Sequence, residues 1–232
     1  MSNFQFTRPD NFPPIVKNLI IINVLVFIAQ LAFDKEYQLT EKLGLWPVES
    51  EHFRPYQIVT HMFTHGGISH ILFNMFGLWM FGKILENVWQ AKRFLFFYLA
   101  CGIGAAFAHM LIEYFQYKDV IAFTDFLKAE GNLEEAKRIL DLPAYAVGAS
   151  GAVMGIFAAF AYTFPNTELY IMFIPVPVKA KWAVLGLVAI DLFGGIGKFS
   201  GDNVAHFAHL GGAVTGFIIV YIWKKTNKKT LY

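Results

Sequence analysis

Six long runs of hydrophobic residues alternate along the chain with charged or turn-rich stretches. A membrane-spanning helix needs roughly 20 mostly apolar residues. The runs cover residues 15–33, 68–88, 94–115, 147–164, 181–196 and 204–223, and the fifth is the shortest. This pattern predicts an all-α polytopic membrane protein. It would form one domain over residues 1–232, built as a bundle of six transmembrane helices.

The stretch between the third and fourth runs, residues 116–146, has a different pattern. It carries too many charges to cross a bilayer, but its apolar residues recur at helical spacing. These are Leu133, Ala136, Ile139 and Leu140. We therefore predict a short amphipathic surface helix within 124–142, interrupted near Gly131 because glycine is a poor helix former.

The composition of the chain agrees with lipid as its solvent. Hydrophobic residues make up 56% of the chain and charged residues 16%, against about 45–50% and about 25% in soluble domains. The formal net charge of +2 is too small and too dispersed to indicate nucleic-acid binding, so no nucleic-acid partner is expected. The single cysteine, Cys101, excludes an internal disulfide and indicates a buried thiol.

Lysine and arginine residues predict how the chain lies in the membrane, because cytoplasmic loops carry an excess of both. Six spans place both termini on one side, together with the second and fourth loops. That side holds Arg8, Lys17, Lys92, Arg93, Lys179, Lys224, Lys225, Lys228 and Lys229. The loops at 34–67 and 116–146, on the other side, are richer in acidic residues. Both termini are therefore predicted to be cytoplasmic.

The first 14 residues carry no recognisable targeting signal. They lack the apolar core and cleavage site of a signal peptide, and they lack the amphipathic pattern of a transit peptide. The first span is therefore expected to remain in the mature protein. Since no organelle address is visible, the sequence indicates a bacterial inner membrane.

A few polar side chains interrupt the apolar runs, where such groups are costly. His70 and Asn74 lie early in the second run, Ser150 early in the fourth and His209 early in the sixth. In the predicted topology these three helices all begin at the outer face. At about 1.5 Å of rise per residue, the four side chains lie within roughly 10 Å of that face. The sequence therefore predicts a polar site at one depth.

Small residues accompany the polar ones and allow close helix approach. They are Gly148, Gly151 and Gly155 around Ser150, and Gly212 and Gly216 after His209. If these strips face each other, the Ser150 hydroxyl reaches the His209 imidazole. A serine beside a histidine base, with donors for an oxyanion, is the arrangement that acyl transfer requires. His70, Asn74 and the first amides of the fourth helix are the candidate donors.

Three motifs on these helices resemble those of the rhomboid intramembrane serine proteases. GASGAVMG at 148–155 resembles the family's nucleophile motif, and HILFN at 70–74 resembles its HxxxN oxyanion motif. AHLGG at 208–212, followed by Gly216, resembles the helix that carries the base. The likeness extends from the first predicted span to the sixth.

The resemblance implies a six-helix rhomboid bundle with a Ser–His dyad, Ser150 and His209, and no third acid. It implies His70 and Asn74 as oxyanion donors, no cofactor, and transmembrane proteins as substrates, cleaved near the outer face. The fifth helix and its neighbouring loops would form the substrate entrance. The supporting positions are Gly148, Gly151, Met154, Gly212 and Gly216, and Met154 stands where relatives often carry an aromatic residue.

Two other functions share part of this pattern. An inactive rhomboid-like protein that binds transmembrane clients would be expected to lack the serine or the base, and this chain retains both. A transporter would more naturally show inverted repeats and helices broken at the midplane, and neither is visible. Proteolysis is the predicted function, with the inactive client-binding protein as the alternative.

The sequence allows more than one role for several polar residues. His206 lies three residues before His209, so spacing alone does not choose the base, although the glycines beside His209 favour it. Asp191 either orients His209, as the acid of a serine triad does, or is interfacial or helps to gate water and substrate, which is the preferred interpretation. His61 and His65, together with His206 and His209, could in principle be the ligands of a metal site. No HExxH motif or carboxylate cluster accompanies them, so no metal is expected.

Overall fold

The computed structural model describes residues 9–140, 145–170, 176–197 and 205–226. Its α-helices are α1 (Pro14–Tyr37), α2 (Leu39–Leu43), α3 (Gln57–Thr60), α4 (Ile68–Gly77), α5 (Lys83–Ala129), α6 (Leu133–Leu140), α7 (Ser150–Thr163), α8 (Ala180–Gly197) and α9 (His206–Thr226). A 3₁₀ turn, His61–Phe63, follows α3, and a π-helical turn, Leu78–Gly82, joins α4 to α5. Two-residue strands β1 (Glu168–Leu169) and β2 (Val178–Lys179) pair antiparallel between α7 and α8. Residues 141–142 and 204 of the predicted segments, and Arg8, Lys228 and Lys229, lie outside the described residues.

Helix α5 differs from the predicted pattern at its far end. Gln90 adopts φ 68° and breaks the helix between the second and third apolar runs. Beyond this break the helix continues to Ala129 instead of ending near residue 115, because no glycine or proline interrupts 116–129. Gly131, at φ +82°, then separates α5 from α6. The charged stretch is therefore an extension of α5 followed by a short second helix.

The long helices are apolar enough to cross a bilayer. Pro14–Tyr37, the continuous run Ile68–Ala129 and His206–Thr226 meet both length and composition, and Ser150–Thr163 is a shorter apolar helix. The break at Gln90 divides the second of these runs, and α8 adds 18 more residues. The described residues thus form an all-α membrane bundle with six apolar helices.

Helix α7 lies at the centre of the bundle. Nine of its 14 residues are buried, so it has no lipid-facing stripe of its own. It packs against α5 and α9, and its buried residues belong to the same hydrophobic core as Phe94, Phe97 and Tyr98 of α5. The helix that begins with Ser150 is therefore held on several sides.

Glycines bring α7 and α9 into backbone contact. A Cβ on Gly212 would collide with the carbonyl oxygen of Gly151, and one on Gly216 would lie 2.6 Å from the carbonyl oxygen of Gly155. Backbone atoms cannot move aside as a flexible side chain can. Any larger residue at these positions would therefore push the two helices apart.

A buried carboxylate fastens α1 to α5. Glu86 is 3% exposed, and its two oxygens accept hydrogen bonds from the backbone N–H groups of Ile15 and Val16, at 2.9 and 2.8 Å. These N–H groups belong to the first turn of α1, where no intrahelical acceptor exists. Glu86 thus caps one helix from another, and the positive end of the α1 dipole stabilises its charge.

Candidate active site

Ser150 is the first residue of α7. The helix begins here rather than at 147, because Gly148 adopts φ +128°, which side chains rarely tolerate. The Gly148 N–H donates to the His61 carbonyl at 2.8 Å, and Ala146 pairs with Leu45 through two backbone hydrogen bonds. The segment that leads to Ser150 is therefore tied to the loop that follows α1.

His209 lies beside Ser150. Its Nε2 is 2.7 Å from the serine Oγ, and its Nδ1 is 2.9 Å from Oδ1 of Asp191. A carboxylate only accepts hydrogen bonds, so Nδ1 carries the imidazole proton. Nε2 is then the free lone pair, and the serine hydroxyl donates to it. This is the tautomer that a general base needs.

Asp191 also accepts a hydrogen bond from a second histidine. His206 Nδ1 lies 2.8 Å from the same Oδ1 oxygen, and both Asp191 and His206 are buried, at 6% and 9% exposure. Asp191 therefore contacts His209, as its first interpretation requires, and it is not an exposed carboxyl. Asp191 and His206 belong to one buried network with His209.

Helix α8 comes close to α9 because of two glycines. A Cβ on Gly194 would lie 2.5 Å from the His206 ring, and one on Gly195 would lie 3.0 Å from the Phe207 ring. The sequence analysis missed these glycines. Their signal was present, since they follow Asp191 by three and four residues and thus share part of its helix face.

His70 lies on the other side of Ser150. The Gly66 N–H donates to its Nδ1 at 3.3 Å, so the neutral ring carries its proton on Nε2. A Cβ on Gly148 would lie 2.7 Å from His70 Nε2 and 3.5 Å from Ser150 Oγ. The absent side chain of Gly148 therefore leaves a space that both groups border.

Asn74 lies one turn after His70. It is 5% exposed, and its Nδ2 donates to the His70 carbonyl at 3.0 Å. A primary amide has two N–H donors, so this contact leaves a second one. Among the supporting positions, Gly148 and Gly151 border Ser150, Met154 is buried one turn along α7, and Gly212 and Gly216 form the contact between α7 and α9.

His61 and His65 support the loop that faces the site. His61 Nδ1 donates to the Gln57 carbonyl at 2.9 Å, and burial lowers the pKa of His61 to about 4. Burial likewise lowers the pKa of His65 to about 4. Both rings are therefore neutral at physiological pH. Within the described ranges, no group of three or more His, Cys, Asp or Glu residues is arranged to hold a metal ion.

Comparison with known proteins identifies the family of this chain. A family model described as "Rhomboid domain" matches residues 52–226, a range that contains Ser150, His209, His70 and Asn74. The chain belongs to the rhomboid family. The rhomboid fold accounts for the three motifs that lie on separate helices and for the all-α membrane bundle.

Several curated rhomboids are similar over most of this chain. "RHOMBOID-like protein 12, mitochondrial" of Arabidopsis thaliana is 27% identical over 92% of the chain and 59% of its own length. "Rhomboid protein 1, mitochondrial" of Saccharomyces cerevisiae is 29% identical over 94% of the chain and 54% of its own length. "Presenilin-associated rhomboid-like protein A, mitochondrial" of Danio rerio is 29% identical over 72% and 39%. The chain thus spans about 40–60% of the length of these relatives.

Proposed function

We propose that this rhomboid is an intramembrane serine endopeptidase, with Ser150 as nucleophile and His209 as base. The observation that carries the proposal is the 2.7 Å contact between Ser150 Oγ and His209 Nε2, with Asp191 on the opposite ring nitrogen. A nucleophile, a base and a group that orients the base are the parts of a serine hydrolase site. The site lies at the end of an apolar bundle, so its substrates are transmembrane proteins, cleaved near the outer face.

The reaction follows from these contacts. As Ser150 Oγ attacks the scissile carbonyl carbon, its proton passes to His209 Nε2, and the carbonyl oxygen becomes an oxyanion. The imidazolium then protonates the leaving amine, and the C–N bond breaks to give an acyl-enzyme. A water molecule, deprotonated by His209, attacks the ester and releases the carboxylic product, and Ser150 recovers its proton.

The oxyanion forms in the space beside Gly148. His70 Nε2–H and the second amide hydrogen of Asn74 are its side-chain donors. The first N–H groups of α7 add backbone donors, since they have no acceptor within the helix. Each oxyanion donor typically lowers the barrier by about 3–4 kcal/mol.

Asp191 extends the dyad that the sequence resemblance implies into a triad. Its carboxylate fixes the His209 ring in the tautomer that accepts the serine proton, and it stabilises the imidazolium that forms. His206 shares the same oxygen, so it holds Asp191 in place and competes for part of its charge. We assign Asp191 and His206 as positioning residues.

We also propose the orientation that the basic residues predict, with both termini cytoplasmic, and a bacterial inner membrane as the location. The names of the relatives given above include the word "mitochondrial", which states the location of those proteins and not of this chain. Reporter tags after Asn3 and at Tyr232 are expected to be cytoplasmic, and a tag near Glu130 exterior. An exterior tag at Tyr232 would overturn the orientation.

Labelling with a serine-reactive fluorophosphonate tests the proposed activity. The protein is expected to label, and Ser150→Ala is expected not to label. Ser2→Ala and Ser50→Ala are matched controls, and both should label like the unchanged protein. Absence of labelling in folded protein would favour the alternative, an inactive rhomboid-like protein that binds transmembrane clients. Cleavage of a transmembrane substrate in vesicles then tests the endopeptidase assignment.

A further inference from the structure

A groove lies between α7, α8 and α9 at the end of the bundle opposite to Ser150. Its volume is about 660 Å³, and apolar side chains such as Ala161, Val188 and Val214 form its walls. At 1.5 Å per residue, Tyr162 in the groove lies about 18 Å along α7 from Ser150. The groove thus extends from that end of the bundle up to Leu210, the residue that follows His209.

Two lysines border the groove at its far end. Lys181 lies in the first turn of α8 and Lys224 in the last turn of α9, and both line the groove. Lys224 Nζ lies 4.9 Å from the ring centroid of Tyr162, and Lys181 Nζ lies 5.5 Å from that of Trp182. In the described part of the chain no acidic side chain lines the groove, and neither lysine has a carboxylate partner. The groove thus has apolar walls and a positively charged end.

The length of the groove fits a lipid chain. Along α9 the groove runs from Leu210 to Lys224, about 21 Å at 1.5 Å per residue. One leaflet contributes about 15 Å to the hydrocarbon core of a bilayer, so the groove is long enough for an acyl chain that crosses one leaflet.

We propose that this groove binds a phospholipid with an anionic headgroup. One acyl chain would lie along the walls of α7, α8 and α9, and the phosphate would lie between Lys181 and Lys224. Basic pockets between transmembrane helices are known to bind anionic lipid headgroups. Aromatic rings beside both lysines place this end of the groove at the membrane interface, where the headgroup lies.

Native mass spectrometry of the full chain, titrated with phosphatidylglycerol or phosphatidylcholine, tests the proposal. We expect one tightly retained phosphatidylglycerol and weaker retention of phosphatidylcholine. Lys181→Gln with Lys224→Gln should weaken phosphatidylglycerol binding roughly 30-fold, since each interfacial lysine contributes on the order of a factor of five. Lys83→Gln with Lys225→Gln removes the same charge outside the groove and should change binding less than threefold.

A steric pair tests the acyl-chain slot. Val214→Trp fills the groove from α9 and should abolish tight retention of phosphatidylglycerol. Ile218→Trp, one turn further on and outside the groove, should not. All variants are expected to keep the melting temperature of the unchanged protein in detergent, which shows that they are folded. Binding is expected to be unchanged in Ser150→Ala, so this test is independent of proteolysis.

Three outcomes would overturn the proposal. Equal loss in both lysine pairs would mean that only the overall surface charge attracts the lipid. Retention by Val214→Trp would mean that the chain lies elsewhere. Displacement of the lipid by inorganic phosphate or by a transmembrane substrate peptide would assign the groove to a different ligand.

Discussion

Two buried carboxylates lie near opposite ends of the bundle. Glu86 is 3% exposed and Asp191 is 6% exposed. Each accepts two hydrogen bonds shorter than 3.0 Å. Glu86 receives them from backbone N–H groups at the start of α1, whereas Asp191 receives them from two imidazole rings of α9. The two carboxylates are thus alike in burial and in the number of short hydrogen bonds, and they differ in their partners.

The partner decides what a buried carboxylate does. Removing a carboxylate from water is costly unless it is hydrogen-bonded, and each of these groups accepts two hydrogen bonds, Glu86 on both oxygens and Asp191 on Oδ1 alone. The backbone N–H groups that Glu86 binds do not titrate in the physiological range, so its role is to dock α1. Asp191 instead binds two imidazole rings, and one of these rings contacts Ser150. Burial alone therefore does not separate a structural carboxylate from one that serves a reaction.

The largest effect is expected at the histidine that connects Asp191 to the serine. His209→Ala removes the base and should lower turnover by at least about 1,000-fold and abolish fluorophosphonate labelling. His206→Ala removes only the second partner of Asp191 and should retain at least a tenth of the activity, a loss of up to about 1.4 kcal/mol. Cleavage of a transmembrane substrate in vesicles measures both. The reverse result would show that Asp191 acts through His206.

Asp191→Asn tests the site carboxylate itself. The amide leaves the fold nearly isosteric, but it no longer fixes the tautomer or stabilises the imidazolium, so turnover should fall by about 100-fold to 10,000-fold. The pH profile of turnover separates this role from a structural one, because the charge beside His209 is lost. An unchanged pH profile and rate, with a lowered melting temperature, would place Asp191 in the same class as Glu86.

The oxyanion donors should give the next largest effect. His70→Ala and Asn74→Ala should each lower turnover by roughly 10-fold to 1,000-fold with labelling access retained. Asn23→Ala is a matched control, since the Asn23 amide is also buried and also donates to the carbonyl four residues earlier, at 2.8 Å. It should leave turnover per labelled molecule unchanged. Equal effects of Asn23→Ala and Asn74→Ala would reassign Asn74 to packing.

Glu86→Gln should have the opposite phenotype to Asp191→Asn. Gln accepts only one of the two backbone N–H groups, so the chain should lose about 1–3 kcal/mol of stability. Turnover per labelled molecule should stay within twofold. Thermal unfolding in detergent measures the loss of stability, and Glu130→Gln, at an exposed position, is the control. A large drop in turnover without loss of stability would break the distinction between the two carboxylates.

The smallest effect concerns His61, whose Nδ1 donates to a backbone carbonyl and so resembles Glu86 in role. Its folded pKa of about 4 lies below the ordinary 6.5. The unfolded chain therefore binds the proton first, and stability falls as pH drops from about 6.5 towards 4. At pH 5.5 the loss is about 1.4 kcal/mol. His61→Gln should reduce the fall in melting temperature between pH 7.5 and 5.5, whereas the half-exposed His52→Gln should not.

The sequence by itself determined the apolar runs, the early positions of Ser150, His70, Asn74 and His209 within their runs, and the glycines that allow close packing. These features are local, since hydropathy and helical spacing are read from neighbouring residues. The extension of α5 to Ala129 was missed because charged residues exclude a membrane span without ending a helix.

Only the tertiary structure decided which buried groups meet. The contacts of Asp191 with His206 and His209, and those of Glu86 with Ile15 and Val16, join different helices. Such contacts depend on the rotation of each helix about its axis and on the distance between helices. Side-chain contacts across the interface between two helices set both this rotation and this distance. The close approach of Gly194 to the His206 ring is an example. A single sequence records the residues on both sides but not their register, so hydropathy alone cannot tell a carboxylate that caps a helix from one that contacts two histidines.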